Sequence, residues 1–330
     1  TCLEQMQSEG LNPDAIAFSC ILMVCGSMGA LEKGKQIHNK IENMGLLEQD
    51  IMLQTALVDM YAKCDTLAKA QEVLKMFRVP HVASWNALLS VYVQREEYYR
   101  ALNCFEEMLT KGLSPDVVTF ICILKACSNT GAIDKGKQIH KEIVDKCLLV
   151  KDIVLGTALV DMYAKCGMLA KAHQVLEELP DRNIVSWNVL IKEYGQQGKY
   201  EEVLSCFEQL QNEGLSPDGV TFLCALNACS HSGIVNEARI LFGDMTREYG
   251  IAPNIEHFTC IVTILAHAGL FNEAISVMQV MPSLEFPEVW LALLGACRKW
   301  GNVTIGRLAF DYIVQLDHSC AAAYVLMTNI

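Results

Sequence analysis

Long apolar runs are missing from this 330-residue chain. No stretch approaches the ~18 residues that a membrane-spanning helix requires, so a soluble protein is expected. Positive charge is also scarce: 26 Lys and Arg stand against 38 Asp and Glu, for a net charge of −12. That balance weighs against a generic phosphate-gripping surface, which is normally basic. No initiator Met or signal-like segment opens the chain at Thr1, and its last unit breaks off at Ile330. It reads as a fragment at both ends, so a missing targeting peptide carries no information on localisation.

What is present is a foldable composition, 52% apolar and 19% charged, far from that of a disordered chain. The 15 cysteines do not look like a disulfide framework. Cys122 and Cys127 recur as Cys224 and Cys229, with Cys20 and Cys25 upstream, which suits reduced thiols packed as small hydrophobes. Five residues of helix separate such a pair by roughly 140° around the axis, too far to share a tetrahedral metal.

The dominant feature is repetition. TALVDMYAKC occurs at Thr55 to Cys64 and again at Thr157 to Cys166, an offset of 102 residues. The same offset maps GKQIH at Gly34 onto Gly136, SWN at Ser84 onto Ser186, and GLSPD at Gly112 onto Gly214. Exact recurrence at one offset marks a repeat array rather than a single core. Within the block, units begin at Ala15, Ile51, Val82, Val117, Ile153, Ile184, Gly219, Ile255, Pro287 and Ala321. Their lengths cycle long, short, standard.

Each unit reads as a helical hairpin. In the unit at Ile51, Leu57, Met60, Tyr61 and Cys64 fall at i, i+3, i+4 and i+7, and Ala70, Val73, Leu74 and Phe77 repeat the pattern. Gly29, Gly131, Gly167, Gly198, Gly233, Gly269 and Gly301 stand in the turns, with Asp65 once in their place. Ser84, Thr119, Ser186 and Thr221 are expected as N-caps of first helices. Helices this short gain their stability from stacking, so the expected fold is all-α: an α-solenoid superhelix of stacked helix-turn-helix repeats. Such a solenoid can turn acid outward while Lys35, Lys63, Lys125, Lys137 and Lys165 serve its other face.

Hairpins reading VASWNALLSVY…ALNCFEEMLTKGLSPD resemble pentatricopeptide repeats. Their alternation with VVTFICILKACSNTGAIDKGKQIH and IVLGTALVDMYAKCG resembles the plant PLS subclass. The segment PEVWLALLGACRKWGNVTIGRLAFDYIVQLD resembles the E motif of organellar RNA-editing factors, and AAAYVLMTNI the start of a second one. The implied division is 1–14 for the end of a truncated repeat and 15–286 for the PLS array. The array splits into 15–50, 51–81, 82–116, 117–152, 153–183, 184–218, 219–254 and 255–286; 287–320 is then an E-type motif and 321–330 a truncated second one.

The resemblance implies single-stranded RNA read one base per unit, through the fifth and the last residue of each unit, with the second residue against the base plane. The unit at Val82 then presents Asn86 and Asp116, and that at Ile184 presents Asn188 and Asp218, a uridine-type pair. The unit at Ile153 offers Thr157 and Asn183, an adenine-type pair. Thr55 with His81 departs from the family pattern and implies only a purine preference, and Thr259 is followed by Phe286, which leaves its base open. Ser19, Ile121 and Leu223 in the long units set spacing. The alternative for Asn86 and Asn188 is an ordinary helix residue, and for Asp116 and Asp218 a Pro-Asp turn former.

No catalytic apparatus accompanies these residues. A zinc deaminase needs H-x-E followed by P-C-x-x-C; His140-Lys141-Glu142 fits the first by letters, but no C-x-x-C exists and the sister position reads His38-Asn39-Lys40. Gly195 to Lys199 lacks the spacing of a phosphate loop. No cofactor, metal, membrane or small-molecule substrate is expected. Two functions remain. One is an organellar, mitochondrial or chloroplast, adaptor for C-to-U editing, with RNA on the repeats and a deaminase or other editing-complex protein at 287–330. The other is a protein-binding scaffold without RNA readout.

Overall fold

The computed structural model describes residues 13–48, 50–77, 81–150, 152–283 and 285–330. All but the last two residues of the expected terminal segment 1–14 therefore lie outside the described residues. Every regular element among the described residues is helical, with no strand. The fold is an all-α helical-repeat solenoid, and it divides into two compact units, 1–168 and 169–330.

In the first compact unit the helices Ala15–Met28, Ile51–Lys63, Val82–Gln94, Val117–Thr130 and Ile153–Lys165 pack each on the next. The helices Leu31–Asn43, Leu67–Met76, Tyr98–Thr110 and Ile133–Asp145 lie behind them, each against its own first helix and the following one. In the second unit the row is Ile184–Gln196, Gly219–Ser232, Ile255–His267 and Pro287–Trp300. Tyr200–Asn212, Val235–Arg247, Phe271–Gln279 and Val303–Leu316 are its second helices.

The recurring motifs are packing devices. Leu57, Met60 and Tyr61 are buried, as are Leu159, Met162 and Tyr163 at the sister positions. Gly34 and Gly136, the glycines of GKQIH, lie directly against the sulfurs of Met60 and Met162, so a Cβ at either position would collide. His38 Nδ1 then meets Tyr61 Oη at 2.8 Å, and His140 Nδ1 meets Tyr163 Oη at 2.9 Å. His140 thus has a structural partner in the same register as His38.

The turns follow expectation with one addition: Gly29, Gly131, Gly233 and Gly301 end first helices in the left-handed region, Asp65 adopts φ 63° in the same role, and so does Glu96, at φ 61°, which was not expected. The starts correct it. Ser84, Thr119, Ser186 and Thr221 are not N-caps; they sit at the third helical position, fully buried. The caps are Asp14, Asp50, Asp116, Asp152, Asn183, Asp218 and Asn254, each accepting from a backbone N–H of the first turn. Asp and Asn place an acceptor oxygen at the distance these orphan donors need. At Asp116, Asn183 and Asp218 the Ser or Thr completes a reciprocal capping box. The fifth residue therefore lies five positions past the cap, beyond the first turn.

Candidate nucleic-acid interface

Asn86 and Asp116 meet across the boundary between consecutive repeats in the first compact unit. The register puts Asn86 on the helix Val82–Gln94 beside the cap of the next first helix. Asn86 Nδ2 donates to Asp116 Oδ1 and Oδ2 over 2.9 and 3.0 Å. Thr119 Oγ1 donates to Asn86 Oδ1 over 2.7 Å, and Thr119 N to Asp116 Oδ1 over 2.9 Å.

The second compact unit holds the same constellation. Asn188 Nδ2 donates to Asp218 Oδ1 over 3.1 Å, Thr221 Oγ1 to Asn188 Oδ1 over 2.8 Å, and Thr221 N to Asp218 Oδ1 over 2.9 Å. Both amides are buried, Asn86 being 7% and Asn188 8% exposed, while Asp116 is exposed and Asp218 half-buried. A carboxylate has about four lone-pair sites and a primary amide two protons. Asp116 Oδ2 already takes Asn86 Nδ2 and Asp218 Oδ1 takes Asn188 Nδ2, so what each pair retains is the spare lone-pair capacity of its carboxylate beside the amide nitrogen.

The threonines present the reverse. Thr55, Thr157 and Thr259 each donate the hydroxyl proton to the carbonyl four residues back, at Ile51, Ile153 and Ile255, over 2.8 to 2.9 Å. Only lone pairs remain, which makes each an acceptor. Thr55 Oγ1 also lies 3.1 Å from Ser84 Oγ. His81 stands at the cap position before Val82–Gln94 with no side-chain cap bond. Asn183, in the second compact unit, accepts from Ser186 N through Oδ1 over 2.9 Å and keeps its amide protons. Thr157 belongs to the first compact unit. Thr259 and Phe286 line an open cleft with Leu223, Ile255, Glu256 and Glu288.

A second row accompanies these residues. The second helical position is apolar and exposed at Ile16, Met52, Val118 and Val154 in the first compact unit and at Val185 and Val220 in the second. One exposed Val is ordinary; the same exposure in the same register, repeat after repeat, is a surface feature. The register changes to Glu256 and Glu288 in the last two full hairpins.

Lysines contribute less than the sequence suggests. Lys35, Lys63, Lys137 and Lys165 pair with Glu32, Asp59, Asp134 and Asp161, each one turn away. Among the described residues no three His, Cys, Asp or Glu side chains gather as a metal site. Burial pushes the thiols up, Cys127 to about 11 and Cys104 to about 12, so both stay protonated and packed. Among the described residues no helix is long and apolar enough to cross a membrane.

The profile of the PPR repeat family matches residues 80–129 and 182–231, and that of the PPR repeat matches 157–184, 220–249 and 256–286. The chain belongs to the pentatricopeptide repeat family. Among its relatives is a mitochondrial pentatricopeptide repeat-containing protein of Arabidopsis thaliana, 34% identical over 325 residues, which span 98% of this chain and 58% of the relative. The chloroplastic pentatricopeptide repeat-containing protein CRR2 of Arabidopsis thaliana is 36% identical over 334 residues, spanning 99% of this chain and 50% of that protein. The chain thus covers about half the length of such relatives, and it belongs with organellar pentatricopeptide repeat proteins. Its fold is similar to that of the pentatricopeptide repeat protein PPR10 in complex with an 18-nt psaJ RNA element: TM-score 0.80, 20% identity, 98% of this chain and 49% of that one. PPR10 from maize gives a TM-score of 0.58 at 19% identity, over 99% of this chain and 53% of that one.

Sequence reasoning named the Asn and Asp positions but missed what joins them. The hydroxyls at the third helical position were legible as SPDVVT and SPDGVT, an Asp followed three residues later by Thr. That signature marks a capping box, whose partner side is here turned toward the preceding repeat.

Proposed function

We propose that this pentatricopeptide repeat chain binds single-stranded RNA sequence-specifically in a plant organelle, as a site-recognition factor for C-to-U editing of the PLS type. The observation that carries the RNA reading is the duplicated constellation of Asn86, Asp116 and Thr119 and of Asn188, Asp218 and Thr221. A protein-binding scaffold has no need to reproduce, three repeats apart, a buried amide donating to a carboxylate that keeps acceptor capacity.

A uracil edge complements that pair, since its N3–H lies between two carbonyl oxygens. Contact is direct or through a bridging water. Guanine offers N1–H beside O6 and shares the pattern; the family resemblance selects uridine. The adenine assignment to Thr157 and Asn183 rests on the sequence resemblance. Thr55 with His81, and Thr259 before Phe286, are weaker sites by the same standard. The exposed apolar second positions suit the flat face of a base, and stacking of that kind is sequence-tolerant.

The editing role rests on the rotation of long, short and standard repeats and on the E-type segment from Pro287. There Leu291 stands at the fifth position, the second position is Glu288, and Phe286 caps without a side-chain bond. That segment docks a deaminase or another editing-complex protein instead of reading a base. Selection of bound species from a random pool of single-stranded RNA tests the reading. Bound RNA should carry uridine at two positions three nucleotides apart, as the repeats at Val82 and Ile184 are three apart. Recovery of the pool with no positional preference would overturn it in favour of a scaffold.

A further inference from the structure

We infer that Thr119 and Thr221 are positioning residues of the base-reading site, each fixing the amide of the preceding repeat so that its pair reads an imide edge. The inference rests on the base-reading function proposed above and adds a third side chain to each pair.

The hydroxyls are wholly buried and do two separable jobs. Each oxygen accepts from the backbone N–H of its own cap, Asp116 N over 3.3 Å and Asp218 N over 3.1 Å. That half belongs to helix capping. The single hydroxyl proton has two acceptors in reach: the amide oxygen of Asn86 or Asn188 at 2.7 or 2.8 Å, and the cap's own Oδ1 at 2.9 Å. Oδ1 already receives a backbone N–H and an amide N–H at both sites. The amide oxygen, buried with Asn86 and Asn188, would otherwise go unpaired at a cost, so the proton goes to it. Turning the amide over would set its oxygen against a carboxylate, so hydroxyl and carboxylate select the same orientation. Amide N–H beside carboxylate oxygen is then the only pattern the pair can show.

The register of the chain supports a link between the two positions. A polar fifth residue is followed by a hydroxyl at the third position of the next repeat in Asn86 and Thr119, Asn188 and Thr221, Thr55 and Ser84, and, by sequence, Thr157 and Ser186. Apolar Ile121 and Leu223 are followed by Leu155 and His257 instead, and His257 turns Nε2 to Gly219 O over 2.8 Å. Ser19 is followed by Leu53, and the buried Ser19 hydroxyl has no partner among the described residues. Ser19 and Thr259 are thus the two polar fifth residues that break the rule, Thr259 being followed by Val289 in the repeat that ends on Phe286. Four of the six polar fifth residues are followed by a hydroxyl and neither Ile121 nor Leu223 is, a bias that capping alone does not require.

The test is selection from the same random RNA pool with the full chain, its Thr221→Val and Thr221→Ala forms, and Thr221→Ser as the conservative rescue. Both hydroxyl-less forms are followed by thermal unfolding, and the reading is taken from whichever stays folded. The preference for uridine over cytidine opposite the repeat at Ile184 should fall about fivefold, the scale of one lost hydrogen bond. It should hold opposite the repeat at Val82, which serves as the internal control, and Thr221→Ser should restore it. An unchanged preference at the Ile184 position in a folded Val or Ala form overturns the inference while leaving base reading intact. A parent protein with no uridine preference at either position overturns base reading, and this inference with it.

Discussion

Asn86 Nδ2 lies 2.9 Å from Asp116 Oδ1, thirty residues away in sequence, and Asn188 stands in the same relation to Asp218 at 3.1 Å. Each Asp also caps the helix that follows. One carboxylate thus sets the start of a helix, holds a neighbouring repeat and leaves an acceptor outward.

These roles are separable by comparing two caps. Asp152 accepts from Leu155 N over 2.9 Å but closes a repeat whose fifth residue is Ile121. Asp152→Ala should cost about 1 kcal/mol of stability, as cap removal does, with the RNA preference unaltered. Asp218→Ala should cost a similar amount and also abolish the uridine preference opposite the repeat at Ile184. Urea unfolding and positional enrichment from the RNA pool, measured on both variants, check the pair of outcomes.

Stability should fall in weak acid. His38 is buried, and burial holds its imidazole below the ordinary value of 6.5 against the upward pull of Glu42, with Lys69 adding to the fall. The folded state then binds the proton less readily than the unfolded chain, so the contribution is complete above pH 6.5 and is lost as pH drops through the folded value. Tyr61, pushed up to about 12 mainly by burial, sets the opposite limb: its contribution is held below pH 10 and lost as pH rises toward 12. Denaturant midpoints of the parent and of His38→Gln, compared from neutral pH downward, should converge as acid is added.

Salt dependence should be shallow for a nucleic-acid binder. Lys35, Lys63, Lys137 and Lys165 are engaged by acids of their own helices, so these four are less available to displace phosphate counterions, and the net charge of −12 adds to the deficit. Affinity for single-stranded RNA should fall with a log–log slope no steeper than about −3, or roughly four phosphates. A filter-binding series across salt concentrations reads the slope directly.

Removing Pro287 to Ile330 should leave RNA affinity within about a factor of five, the size of one lost hydrogen bond, provided the deletion stays monodisperse. Glu288 at the second position gives a base plane no apolar face, and Leu291 at the fifth gives a base edge no hydrogen bond. Size-exclusion chromatography followed by binding to the selected RNA checks it.

The hairpins were legible because the 3.6-residue pattern of residues such as Leu57, Met60 and Tyr61 is what the interior needs. The turn glycines were legible because a left-handed turn favours them, whereas Asp65 and Glu96 take the same conformation without glycine's freedom. Helix starts were misread: Ser and Thr are good caps in isolation, but Asp116, Asn183 and Asp218 stood three residues earlier and took the role. The bond from Thr119 to Asn86 was not legible, because it joins residues 33 apart and depends on how two repeats stack. The pairing of lysines with acids one turn away was visible as spacing, yet spacing alone does not say whether an ion pair forms.

Asn86 with Asp116, and Asn188 with Asp218, are the pairs proposed to read uridine. The direct measurement is equilibrium binding, at one fixed salt concentration, of RNAs that differ only at the nucleotide opposite each of those repeats. Any base other than uridine at either position should weaken binding about 5- to 150-fold, the range of roughly 1 to 3 kcal/mol for a well-formed base contact. Guanine preferred over uridine would keep the edge chemistry and overturn the uridine assignment. Equal affinity for all four bases at both positions would contradict base reading by these pairs.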